Sequence, residues 1–290
     1  MNRLNIKLLF VKLPLLVLAS IISLNSFAIN VTTPALRKGS DMDKYASRLI
    51  EFLVDKAGDK AIITHYRSLV NSQSRKVAML HEGKLSVDWY GTSSTLEEKL
   101  IPVRFPLFRG LLGHRIFITN KNMAAKLSNV TTKAQLEKLT MIQGEGWSDV
   151  PILRAGGFKV KELASFENIL KVVNGGRADL FPRGAMEPYS EVAGRPQLTN
   201  LVVDDQLMVI YKTPLFFFVS PEHPELAELL KKGFEKAYAD GSFIEFFNNA
   251  PLVKKTFAEA KLKQRRIFRI ENPNLSDKTR KIDDKYWMKL

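Results

Sequence analysis

Apolar residues recur at helical spacing in some stretches of the chain and as short alternating or continuous runs in others. Met42, Tyr45, Leu49, Phe52 and Leu53 share one face of a helix that Asp41 can cap and Gly58 ends. Asn71 or Ser72 opens a second helix, with Val77, Met79 and Leu80 inward and Gly83 as its stop. Further helices are read over 132–139, from Asp149 to Gly156-Gly157, over Phe166–Asn174 behind a Ser165 cap, and over 185–192. Pro224 opens a longer one carrying Leu226, Leu229, Leu230, Phe234 and Tyr238; Asp240-Gly241 ends it, and 242–248 forms a short aromatic helix. Strands are read over 61–64, 85–89, 101–105, 114–119, 139–143, 158–160, 177–181, 201–203, 207–211 and 215–219. Pro102 marks an edge strand or a strand start. The five consecutive apolar residues Leu215–Val219 mark a buried one. Strands alternating with helices predict an α/β protein with parallel-type sheets covered on both faces.

The two ends of the chain follow other rules. Arg3, Lys7 and Lys12 precede an uncharged run over 15–24, and Ser26-Phe27-Ala28 follows it. This is the pattern of a secretory signal peptide cleaved after Ala28, which predicts a periplasmic protein. A bilayer span needs roughly 20 apolar residues, and Lys12 and Pro14 oppose an anchor extended back through 8–11. The chain has no cysteine, which removes disulfides, thiolate chemistry, Cys-ligated metals and a lipid anchor at the cut. With 45% hydrophobic and 26% charged residues, the composition is that of a globular chain. Its 290 residues suit two domains. The net charge of +14 is unevenly placed. Without the leader it is +11, and residues 251–290 hold twelve Lys/Arg against five Asp/Glu, leaving the body about +4. A nucleic-acid footprint should be a patch on the folded body, so none is expected here. The basic tail reads as a C-terminal helix and extension.

Three pieces, 138–149 (KLTMIQGEGWSD), 174–184 (NGGRADLFPRG) and 228–243 (ELLKKGFEKAYADGSF), stand in an order and spacing that resemble the family 3 solute-binding proteins. These are the polar amino-acid type of the type II periplasmic binding fold. The likeness extends over nearly all of 29–249, and the tail beyond it has no counterpart in typical members. It implies an α/β, two-lobed type II periplasmic binding protein fold with a hinge of two crossing strands. Lobe 1 would comprise 29–114 and 216–250, lobe 2 would comprise 115–215, and the extension 251–290 would pack on lobe 1. Hinge strands are expected at 115–119 and 215–219. The ligand would lie in the cleft, for delivery to an ABC importer or presentation to a membrane signalling receptor, by a monomer that needs no cofactor.

Open α/β sheets bind ligands at the carboxyl ends of their strands. On the second lobe the turn 144–149 lies at such an end. Gly144 and Gly146 would let the backbone approach a ligand, Ser148 offers a hydroxyl at a helix start, and Trp147 a flat apolar wall. The alternative is an ordinary capped turn with a core Trp. Arg183, before Gly184, either reaches the cleft or pairs with Glu187 four residues on. On the first lobe Trp89, Tyr90, Thr92 and Ser93 make a hydrogen-bonding ledge that in the family contacts ligand. Arg104, Arg109 and Arg115 lie near the crossing, where a guanidinium can grip a carboxylate or phosphate with two N–H groups. Two features depart from the family. No Arg follows the ledge within 96–100, and Arg183-Gly184 stands where an acid would hold an α-amino group. Both favour a small anionic or strongly polar ligand over a free zwitterionic amino acid.

An enzyme is the competing class. His65, His81, His114 and His223 are not spaced as metal pairs, and there is neither a G-x-S-x-G elbow nor a Walker loop. The chain is therefore read as a binding protein, with no catalytic residue and no metal.

Overall fold

The computed structural model describes residues 28–70 and 72–290. The signal-peptide reading lies, apart from Ala28, outside the described residues. No helix among the described residues is long and apolar enough to cross a membrane.

The strands fall into two groups that define two lobes. In the first, Ile29–Thr33 pairs in parallel with Ala61–His65, while Val87–Gly91 and Ile101–Val103 flank Leu215–Val219 in antiparallel fashion. Pro102 is therefore on an edge strand, where its missing N–H costs no ladder bond. In the second group His114–Asn120 is central. It pairs antiparallel with Phe181–Gly184, Leu207–Ile210 and Leu201–Val203. Thr140–Gly144 lies parallel to Lys159–Leu163 and is bridged through Met141 to Leu180. The strands at 114–120 and 215–219, expected to form the hinge, are thus interior strands of the two sheets. The chain passes between lobes just before them, in 104–113 and 211–214.

The first lobe is built on the helices Asp41–Ala57 and Pro224–Ala239, which pack together over a core of Leu49, Ile50, Leu53, Phe217, Phe234, Phe243 and Phe247. Ser40, rather than Asp41, caps the first helix, its hydroxyl accepting from the Asp43 amide. In the second lobe, helix Asp149–Ala155 covers one sheet face over Phe117, Met141 and Leu180. Helix Phe166–Asn174 covers the other over Ile118, Ile142 and Phe181. The strand expected at 177–181 starts at Phe181, because the Asp179 carboxylate turns back to accept from the Thr140 amide.

The extension differs most from expectation. Its helix Pro251–Ala260 does pack on the first lobe, with Leu252 against the core, but Phe257 is left exposed. The chain then crosses to the second lobe, where Arg266–Arg269 adds a parallel strand to Leu207–Ile210. The physical reason is the edge of Leu207–Ile210, whose unpaired backbone groups this strand covers. The tail next returns to the first lobe. Asn272 Nδ2 donates to the Lys212 carbonyl at 2.8 Å. Ser276 and Thr279 donate to Glu97. Tyr286 stands edge-on to Phe105 and Tyr238. Packing on lobe 1 alone is thus corrected to a strap over both lobes.

Candidate functional site

Two adjoining cavities, of about 330 and 430 Å³, share Arg37 and Met42 in their walls. The first is bounded by Asp43, Lys76, Asp88, Trp89 and Tyr90 of the first lobe. The second lies between the lobes, with Asp41 on one side, Glu187, Ser190 and Glu191 on the other, and Lys255 and Glu259 of the extension closing an end. Across that end Tyr189 Oη donates to the Glu259 carbonyl at 2.8 Å.

The first-lobe wall grows from the helix start at Ser40. Asp43, in the first turn, is buried and receives Arg37 through Nε and Nη2 at 2.9 and 2.7 Å, together with the Arg37 amide. Trp89 Nε1 donates to the same carboxylate at 3.3 Å. Burial pushes the Asp43 carboxyl up, but the Arg37 contacts outweigh it and hold it below its usual range. Arg37 keeps 61% of its side chain exposed, so its outer edge remains open to the cavity. Arg37 and Asp43 were not singled out from the sequence. The signal was present as an Arg in the loop after the first strand, but the spacing of Arg37 to Asp43 carries no motif. Tyr90 reaches the buried Asp88 carboxylate, which also holds Lys76 at 2.9 Å. Burial raises the Asp88 carboxyl and outweighs Lys76.

The rest of the ledge has other work. Ser93 Oγ caps helix Ser94–Lys99 by accepting from the Leu96 amide. Thr92 donates to Glu97 at 2.7 Å, and Arg104 to the other oxygen of Glu97 at 2.9 Å. With Ser276 and Thr279, four donors converge on this one carboxylate, whose side chain is 5% exposed. Burial raises its pKa, but these donors bring it below the usual range. Thr92 and Arg104 thus hold the carboxylate that fastens the extension, while Ser93 serves the helix start. Arg109 fastens the extension too, with positive φ and its Nη2 directed at the carbonyls of Lys285 and Trp287. Neither Arg104 nor Arg109 lines the two cavities.

On the second lobe Trp147 lies on Gly144, where an added Cβ would come within 2.1 Å of the indole. Gly144 is a glycine because the ring needs the space, so the close approach expected for a ligand is made by Trp147. Gly146 has φ +71° and its amide donates to Glu162 at 3.2 Å; Ser148 is exposed and makes no cap bond. Trp147 stacks on Phe166, and the Arg183 guanidinium stands over both rings, 5.2 and 5.6 Å from their centroids. Arg183 is buried and grips Glu191 through Nε and Nη2, with Nη2 also 3.0 Å from Glu187. The pairing with Glu187 weighed from the sequence is therefore present, and Glu191 was missed. Burial raises the Glu191 carboxyl against the pull of Arg183. Beside this group the buried Arg115 donates to Asp149 at 2.7 Å, Tyr211 donates to the same oxygen, and Glu187 lies 3.7 Å away.

Glu187 is the hub of the second-lobe wall. Its Oε2 accepts from the Gly184 amide at 2.7 Å and lies 3.0 Å from where a Cβ on Gly184 would be. A carboxylate therefore occupies the space that an acid at 184 would fill. It arrives from three residues further along, and the missing Cβ of Gly184 makes room for it.

No family model and no curated protein sequence matches the chain. Among solved structures, the periplasmic VFT2 domain of Bordetella pertussis BvgS is similar over 76% of this chain and 93% of that chain, with a TM-score of 0.53 and 14% identity. A double mutant of the same domain gives 77%, 93%, 0.53 and 15%. An ancestral arginine-binding protein bound to arginine covers 77% of this chain and 98% of its own, with a TM-score of 0.47 and 15% identity. At these identities the likeness is one of fold. The class is the two-lobed type II periplasmic binding fold, as the family 3 resemblance implied.

Proposed function

We propose that this chain is an exported solute-binding protein that takes a small polar ligand between its lobes, and that the ligand carries a cationic group. The carrying observation is the wall of the cavity between the lobes. Of the groups facing it, Asp41, Glu187, Glu191 and Glu259 are acidic, against Arg37 and Lys255, and the single Arg183 shared by Glu187 and Glu191 leaves that pair of carboxylates net negative. Arg104, Arg109 and Arg183, which favoured an anionic ligand, are held by Glu97, by tail carbonyls and by Glu187 and Glu191. An ammonium or amidinium group would meet the Glu187 carboxylate, and the exposed edge of Arg37 would suit an anionic group on the same molecule. This is a binding role with no catalytic residue. The importer or receptor that receives the liganded form is identified by capture from membranes.

Thermal-shift screening with amines, the twenty amino acids, carboxylates and phosphates, followed by calorimetry, tests the reading. Stabilisation by cationic or zwitterionic compounds, weakened about tenfold or more in Glu187→Gln, supports it. Stabilisation by anions alone, unchanged in that variant, overturns it.

A further inference from the structure

A third cavity, of about 420 Å³, shares no residue with the two described above. It is formed where the crossing segments meet the end of the extension. Four cations line it: Arg109 and Lys212 from the crossings, Arg269 and Lys289 from the extension. One acidic side chain, Asp284, lines it too and is bound to Lys212 at 2.8 Å. Among the described residues, Arg269 and Lys289 have no salt-bridge partner, and Arg109 bonds to carbonyl oxygens rather than to a carboxylate. Two donors among the lining residues are buried and unpaired, Arg109 Nε and Trp287 Nε1. Trp287 is itself 8% exposed. A surplus of cations around a cavity attracts a counter-ion. His114, in the same wall, is driven toward its neutral form by burial, with the charge of Arg269 adding to it.

We infer that this cavity is a binding site for a small multivalent oxyanion such as phosphate. Arg269 offers an unpaired guanidinium that can grip two oxygens of an oxyanion, while Arg109, Lys212 and Lys289 add positive charge around it. The extension contributes Arg269, Trp287 and Lys289, so the site exists only because the tail straps the lobes. It gives the basic surplus of that tail a function that a solvated extension would not. A bound oxyanion would touch both crossing segments and the tail, and so would stiffen the passage between lobes.

Calorimetry of the full chain with inorganic phosphate, at ionic strength matched with chloride, tests this. Arg269 and Lys289 are exposed, so the Arg269→Ala/Lys289→Ala variant should keep its fold, as circular dichroism would verify. Phosphate should bind the full chain, and affinity should fall about tenfold or more in the double variant. Glu187→Gln in the cleft should leave phosphate binding unchanged. Binding should also shift tryptophan emission, and Trp287→Phe should remove that shift. No binding, equal binding by chloride, unchanged affinity in the double variant, or loss of phosphate binding in Glu187→Gln alone would overturn the site.

Discussion

The Glu187 carboxylate accepts a hydrogen bond from the backbone amide of Gly184 at 2.7 Å and stands where a side chain on that glycine would begin. A carboxylate thus stands beside position 184 although the residue there is glycine. The relationship has a testable consequence. Glu187→Ala should weaken a cationic ligand found by screening, and Gly184→Asp added to it should recover about tenfold or more of the affinity. The Leu112 side chain and carbonyl, 3.1 and 3.2 Å from the new Cβ, must yield slightly. Calorimetry on the pair of variants decides, and no recovery would count against a carboxylate role.

Arg183 neutralises two partly buried carboxylates, so its removal should act first on stability. Arg183→Ala leaves Glu187 and Glu191 close together with no guanidinium between them. A loss of about 3–5 kcal/mol is expected in chemical denaturation. A variant as stable as the parent would show that the pair is solvated.

The strap can be unfastened at Glu97. Glu97→Gln keeps the shape but lowers the strength of four charge-assisted contacts, two of them from Ser276 and Thr279. The expected loss is about 1.5–3 kcal/mol, with faster amide exchange over 276–287. Unchanged exchange there would mean that Tyr286 and Trp287 hold the tail alone.

Helices Asp41–Ala57 and Pro224–Ala239 touch backbone to backbone at Gly233. A Cβ there would lie 2.1 Å from the Leu53 carbonyl oxygen. Gly233→Ala should force the helices apart and cost about 1–3 kcal/mol or more, despite the higher helix propensity of Ala. Denaturation midpoints would register the loss; a gain would show that the helices separate freely.

His114 is held near pKa 4 by burial, with the Arg269 charge adding, against an ordinary value of 6.5. Between these values the unfolded chain takes up a proton that the folded chain refuses. Its contribution is therefore full above pH 6.5 and is lost as pH falls toward 4, by about 2–3 kcal/mol. His114→Asn should flatten this part of the stability profile. An identical profile in the variant would assign the acid sensitivity elsewhere.

Elements with strong local signals were legible in the sequence. The helices 166–174 and 224–239 carry an apolar stripe with a cap or an N-terminal proline, and 215–219 is apolar throughout. Chemistry set by tertiary pairing was less so. Trp89 and Tyr90 do line a cavity, but an arginine's sequence neighbours do not say which carboxylate the fold brings to it. Glu97 came to Arg104 from seven residues away and Glu191 to Arg183 from eight. Arg266–Arg269 offered only a four-residue run with charges at both ends, and what made it a strand was an open sheet edge some sixty residues earlier.

The strap also fixes the order in which the protein can be completed. The chain visits the first lobe, the second, the first, the second again with Arg266–Arg269, and finally the first with Tyr286. The last strand of the second sheet is thus also the last strand of the chain, and neither half is finished until nearly all of the polypeptide is present. Contacts between residues so far apart in sequence are slow to form. The molecule should therefore fold late and melt as one cooperative unit, with a single calorimetric transition, and neither lobe should survive excision as an independent domain.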